Sequence, residues 1–213
     1  MPVDLIVFDL DGTLADSLPD IAAAANYALR RLGLPEQPVT AIQGMIGGGE
    51  ENFVRRLLGT GAQNCYDLAY DLYVKYYLEH CGELTRLYPG VKETLKQLTS
   101  KKLAVLSNKM GALSRLVVES MGLEDLFDLV RGGDSYGALK PSPSPLLALI
   151  TELDGDPART VMVGDKPTDV RAGQGAGAFT VGVTYGYGEP ALLAEAGPHR
   201  LISRFEELLD VIG

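Results

Sequence analysis

Six short apolar runs do most to constrain the fold of this chain: VDLIVFDL, KLAVLSN, LFDLVRG, RTVMVGD, AFTVGVT and the weaker HRLIS. They are rich in Val, Ile, Leu and Phe and do not alternate with polar residues. That is the pattern of parallel strands covered on both faces. Helical periodicity separates the later runs. GVKETLKQLTSK places Val91, Leu95 and Leu98 on one face, MGALSRLVVESMG repeats Leu113, Leu116, Val117 and Met121, and SPLLALITELDG follows a proline start. Strand and helix in alternation predict an α/β protein, a doubly wound parallel sheet of Rossmann-like type.

One interval breaks the alternation. From Leu14 to Lys102 there is no convincing strand, although a crossover between parallel strands needs only about a dozen residues. The interval instead carries three amphipathic stretches, LPDIAAAANYALRRLG, GEENFVRRLLG and NCYDLAYDLYVKYYLEH. Residues 16–81 are therefore expected to form a helical cap inserted into a core made of residues 1–15 and 82–213. Gly82 and Pro89-Gly90 are the expected return hinge. A length of 213 residues suits a core with one insert.

Composition narrows the function. The net charge of −9 argues against general binding to nucleic acid or an anionic membrane surface. No apolar run is long enough to span a bilayer. Cys65 and Cys81 have neither zinc-ligand spacing nor a disulfide framework, which fits a reduced, cytoplasmic setting. His80 and His199 are the only histidines, so chemistry built on a histidine cluster is disfavoured.

In open α/β sheets, ligands bind beyond the carboxyl ends of the strands. After the first run come Asp9 and Asp11, then Gly12 and Thr13; after LAVL come Ser107, Asn108 and Lys109; after VMVG come Asp165 and Asp169. Lys140 stands in ALKPSPSP, ahead of a proline-rich helix start. Each has an ordinary structural reading. Asp11-Gly12 suits a turn, Asp16 or Ser17 a helix cap, Ser107 and Asn108 another cap, Asp165 before Pro167 a third, and Lys140 a solvated loop. Together they place a hydroxyl, a lysine and three carboxylates on one sheet edge, the groups needed to bind a metal and a phosphoryl group. Two carboxylates about 4 Å apart repel by roughly 4 kcal/mol at an effective dielectric near 20. Asp9, Asp11 and Asp165 clustered together therefore call for a divalent cation or for protonation. Mg²⁺, which prefers oxygen ligands, fits best.

FDLDGTLADS, LSNK, LKPSPSP and VGDKPTD, in this order, resemble the four motifs of the haloacid dehalogenase-like phosphohydrolases. SLPDIAAAANYALRRLGLP, MIGGGEENFVRRLLG, LTRLYPGVKETL and VGVTYGYG are similar to stretches of phosphoglycolate phosphatases. The resemblance implies a phosphatase of small phosphorylated metabolites, with 2-phosphoglycolate the expected substrate. Asp9 would be the nucleophile, forming an aspartyl-phosphate, and Asp11 the acid and base. Thr13, Ser107, Asn108 and Lys140 would bind phosphate. Mg²⁺ would be held by Asp9, Asp11 (through its backbone carbonyl) and Asp165, with Asp169 supporting. In the cap, Gly48 of the Gly47–Gly49 loop and Arg55 are expected to reach the substrate, while Tyr66, Tyr70, Tyr73 and Tyr77 form a packing stripe. Lys166 departs from the family, which commonly carries a small polar or acidic residue there, and it leaves the metal affinity open. The expected assembly is a monomer or homodimer. The alternatives are a sugar-phosphate phosphatase or phosphomutase on the same fold, and a phospho-accepting signalling domain, which is disfavoured because such domains lack the insert.

Overall fold

The computed structural model describes residues 2–212. Among them six strands form one parallel sheet: β1 (Leu5–Phe8), β4 (Lys102–Leu106), β5 (Leu129–Arg131), β6 (Thr160–Gly164), β7 (Phe179–Val183) and β8 (Arg200–Ile202), in the order β5-β4-β1-β6-β7-β8. Val7 of β1 lies opposite Ala104 of β4 and Met162 of β6. The absence of alternation has a direct cause. Ile6 and Phe8 enter one core with Leu103, Val105, Val161 and Val163, while Leu5 and Val7 enter a second with Ala104, Leu106 and Met162. With both faces covered, every β1 side chain is buried, and full burial of a large aliphatic or aromatic side chain contributes about 1.5–3 kcal/mol. The edge strand β5 is only half-buried.

The insert region holds α1 (Leu18–Arg31), α2 (Val39–Met45), α3 (Gly49–Leu58) and α4 (Tyr66–His80). The helix α1 packs on α4. Its buried face carries Ala24, Ala25 and Ala28, whose small side chains permit close approach, and Tyr27 stacks on Tyr76 with ring centroids 4.5 Å apart. Two features differ from the sequence reading. The helix α2 follows Pro38, spans 7 residues and buries only Ile42, so it presents no apolar repeat. The interval also contains a two-stranded antiparallel ribbon, β2 (Ala15–Asp16) against β3 (Arg86–Leu87), which ties the outgoing chain to the returning one. A strand of two residues has no pattern to read. The remaining helices are α5 (Val91–Gln97), α6 (Gly111–Ser120), α7 (Ser144–Glu152), α8 (Pro167–Ala176), α9 (Pro190–Glu195) and α10 (Leu208–Ile212). Among the described residues no helix is long and apolar enough to cross a membrane.

Starting at β1, the chain first adds β4 and β5 on one side, then returns to add β6, β7 and β8 on the other. β1 is therefore the switch point, and the loops leaving β1, β4 and β6 diverge around a crevice at their carboxyl ends.

Candidate active site

The β1 loop turns at once. Thr13, Leu14 and Ala15 all donate backbone N–H bonds to the Leu10 carbonyl, and Gly12 takes φ +88°. A β-carbon at Gly12 would lie 2.4 Å from a carboxylate oxygen of Asp165, so the turn admits only glycine without displacing that group. The turn leaves Asp9 and Asp11 buried but bound to different partners. Asp9 Oδ1 accepts from Lys140 Nζ at 2.9 Å, and Asp169 Oδ1 lies 2.7 Å from the same ammonium. Asp11 Oδ1 accepts from Lys109 Nζ at 2.9 Å and from the Ser17 hydroxyl. Ser17 stands at the N-cap of α1 but makes no side-chain cap bond, because its hydroxyl is committed to Asp11.

Lys140 is held in turn. Asn108 donates through Nδ2 to the Lys140 carbonyl and accepts at Oδ1 from the Lys140 N–H, each at 2.9 Å. The Asn108 side chain thus anchors the Lys140 backbone, using one of its two amide N–H donors and leaving the other available. Ser107, Asn108 and Lys140 line the cleft with Asp9 and Asp11. Thr13 does not: it is fully buried, and its hydroxyl has no hydrogen-bond partner. Although burial pulls the Lys140 ammonium down, Asp169 and Asp9 hold its pKa above the ordinary lysine value.

Asp9, Asp165 and Asp169 each offer an oxygen within 4.8 Å of the others, and all three are buried. Three carboxylates against the Lys140 ammonium leave an excess of negative charge. Burial lifts the Asp165 carboxyl to about 7, partly offset by Lys166, and burial likewise raises Asp9 against the pull of Lys140. One Asp165 oxygen accepts from the Tyr187 and Gly188 N–H groups at 2.7 and 3.0 Å; the other, Oδ1, is buried without a partner. An orphaned anionic oxygen inside a carboxylate cluster is what a hard divalent cation requires. The Asp11 side chain stands outside this cluster, on Lys109 and Ser17.

The insert closes the cleft from above with Ile46, Gly47, Gly49, Glu50, Phe53 and Tyr73, leaving a cavity of about 50 Å³. Gly47, Gly48 and Gly49 have φ of +117°, +78° and +81°, and a β-carbon at Gly49 would lie 3.3 Å from the Asn108 carbonyl oxygen. Gly47 and Gly49 line the cavity, whereas Gly48 faces a neighbouring recess. Arg55 is not in the site. The apolar face of α3 (Phe53, Val54, Leu57, Leu58) points inward, so Arg55 projects outward and lies over the Tyr66 ring, 4.1 Å from its centroid.

The tyrosine stripe does more than pack. Tyr77 is buried with its hydroxyl 2.9 Å from Lys109 Nζ, Tyr70 donates to the Met110 sulfur, and Tyr73 lines the cavity. Glu50 accepts from the Met110 N–H at 2.8 Å. Lys109 had a legible signal, being third after β4 at the carboxyl edge of the sheet, whereas Tyr77 had none beyond helical spacing. The Lys166 ammonium donates to the Ile46 carbonyl at 3.1 Å and makes no ion pair with the carboxylates, although its charge still favours ionised Asp165.

A family model described as haloacid dehalogenase-like hydrolase matches residues 6–183. The phosphoglycolate phosphatase of Neisseria meningitidis serogroup A is 40% identical over 200 residues, covering 91% of this chain and 85% of that protein. The phosphoglycolate phosphatase of Aquifex aeolicus is 40% identical over 185 residues, covering 86% and 85%. The crystal structure of a predicted phosphoglycolate phosphatase from Haemophilus somnus 129PT superposes with a TM-score of 0.94 at 31% identity, covering 100% of this chain and 99% of that one. With the sheet order, the carboxylate cluster and these likenesses agreeing, the chain belongs to the haloacid dehalogenase-like hydrolases and is a phosphatase of phosphoric monoesters.

Proposed function

We propose that the protein hydrolyses 2-phosphoglycolate to glycolate and phosphate through an aspartyl-phosphate on Asp9. The observation that carries the mechanism is the separation of two neighbouring carboxylates onto different partners. Asp9 lies on Lys140, a cation suited to the phosphoryl oxygens, while Asp11 lies on Ser17 and Lys109. In the first half-reaction an Asp9 oxygen bonds to phosphorus, the ester P–O bond breaks, and Asp11 gives its proton to the departing alkoxide. In the second, water attacks the same phosphorus, Asp11 takes the water proton, and the bond to Asp9 breaks to release phosphate. Ser107 and Lys140 hold the phosphoryl group during both steps. Asp9, the Asp11 backbone carbonyl and Asp165, with Asp169 beside them, are the groups that would hold Mg²⁺, which when bound supplies positive charge to the phosphoryl oxygens.

Residues 16–81 act in this reading as a cap over a core of residues 1–15 and 82–213. The small covered cavity suits a small ester rather than a polymer. The substrate rests on the names of the relatives and on the cationic lining of the cleft. A cytoplasmic monomer or homodimer completes the reading, and two free cysteines suit a reduced setting.

A steady-state panel tests it. We expect kcat/KM for 2-phosphoglycolate to exceed that for glucose 6-phosphate and for p-nitrophenyl phosphate. Asp9→Asn is expected to lose turnover and phosphoprotein together, whereas Asp11→Asn accumulates phosphoprotein from an activated ester. A preference for the hexose phosphate removes the named substrate. A phosphoprotein burst from Asp9→Asn removes the nucleophile.

A further inference from the structure

We infer that Lys166 is the residue that selects substrates with a carboxylate on the leaving group. The inference rests on the phosphatase reading above and deepens it by assigning the leaving-group contact.

Three lysines line the cleft: Lys109, Lys140 and Lys166. Lys140 is taken by Asp9 and Asp169, and Lys109 by Asp11 and the Tyr77 hydroxyl. Among the described residues Lys166 has no carboxylate within ion-pair distance. Its ammonium donates to the Ile46 carbonyl and lies 5.9 Å from the Tyr187 ring centroid. It is therefore the one of these three cleft lysines with no carboxylate in direct contact. An ammonium has three donors, and one carbonyl occupies one of them.

Position supports the role. Lys166 precedes α8 in the β6 loop, and its side chain reaches across to the insert, so the ammonium sits at the seam where cap and core meet. It passes beside Gly47; a β-carbon there would lie 3.7 Å from Nζ. Gly47 and Lys166 both line the cavity. The phosphoryl group must lie against Asp9 and Lys140 on the core floor, so the leaving group projects toward the insert, where Lys166 waits. Arg55, the other basic residue that the sequence suggests for this contact, is exposed on the far side of α3.

The experiment compares two esters that differ in one group: 2-phosphoglycolate, and ethyl phosphate, which has the same two-carbon skeleton without the carboxylate. The readout is the ratio of their kcat/KM values, which does not depend on the fraction of active enzyme. In the wild-type protein we expect the ratio to favour 2-phosphoglycolate. Lys166→Gln, which keeps the backbone N–H that Asp169 accepts, is expected to lower the ratio on the order of 10- to 100-fold, the usual size of a lost charged hydrogen bond. Lys166→Arg is expected to retain most of it. A high wild-type ratio that survives Lys166→Gln overturns this assignment alone, including the case where both esters slow equally and Lys166 merely latches the cap. A wild-type ratio near one overturns it together with 2-phosphoglycolate as the substrate.

Discussion

Asp9 and Asp11 are separated by one residue in sequence yet belong to two electrostatic systems. The first faces Lys140 and the acidic cluster, the second Lys109 and Ser17. Local spacing identifies the pair; only the approach of residues about a hundred positions away divides it. Glu50 makes the same point on the insert side. It is buried at the start of α3, and burial lifts its carboxyl to about 7, from an ordinary 4.5, against the attraction of Lys109. Between these two values the native state holds a proton that the unfolded chain has released. Its contribution to stability therefore falls as pH rises from about 4.5 to 7 and is level above. Glu50→Gln removes the charge and keeps an acceptor for the Met110 N–H. We expect the variant to match the wild type near pH 4.5 and to be more stable by up to about 3 kcal/mol at pH 8 in urea titrations. A difference that stays constant across this range refutes the argument.

Among the elements, α1 is tied to the returning chain by one side chain. Asp20 accepts from the N–H groups of Gly82, Leu84 and Thr85 and from the Thr85 hydroxyl, at 2.6 to 3.0 Å. The sequence marks Gly82 as a hinge. In the structure its N–H is fixed by Asp20, so the crossing beside the β2–β3 ribbon is pinned. Asp20→Ala leaves four donors without their acceptor and is expected to cost about 3 kcal/mol or more, with Asp20→Asn milder. Chemical denaturation measures both, and a loss under about 1 kcal/mol for Asp20→Ala would remove this role. The long amphipathic helices α1, α3 and α4 are legible as periodic patterns, because each buries one face. The helix α2 and the ribbon are not, because α2 buries only Ile42 and a strand of two residues has no repeat of its own.

For the whole molecule the governing quantity is uncompensated charge. Asp9, Asp165 and Asp169 outnumber their ammonium, and an Asp165 oxygen has no partner. A cation that binds this cluster must stabilise the fold, since the unfolded chain does not assemble it. Mg²⁺ at about a hundredfold over its Kd is expected to raise Tm by roughly 5–10 °C in a chain of this size. Asp165→Asn should lose most of that shift, and a chelator should abolish hydrolysis. An unchanged Tm across a Mg²⁺ titration, with activity persisting after chelation, contradicts the proposed metal site.

The sequence by itself determined the parallel α/β sheet, the interval that leaves it as a helical insert, and the strand-end groups Asp9, Asp11, Ser107, Lys140, Asp165 and Asp169. These follow from local rules: burial on both faces suppresses alternation, and groups at the carboxyl ends of parallel strands share one edge. Even the outward direction of Arg55 was available from the face that Phe53, Val54, Leu57 and Leu58 define on α3. Only the tertiary structure decided which groups meet around the cleft. It paired Tyr77 with Lys109, committed Asn108 to the Lys140 backbone, left Thr13 out of the cleft, and turned Lys166 toward the insert. Those choices depend on how closely two separately coded surfaces approach, which no spacing along one segment records.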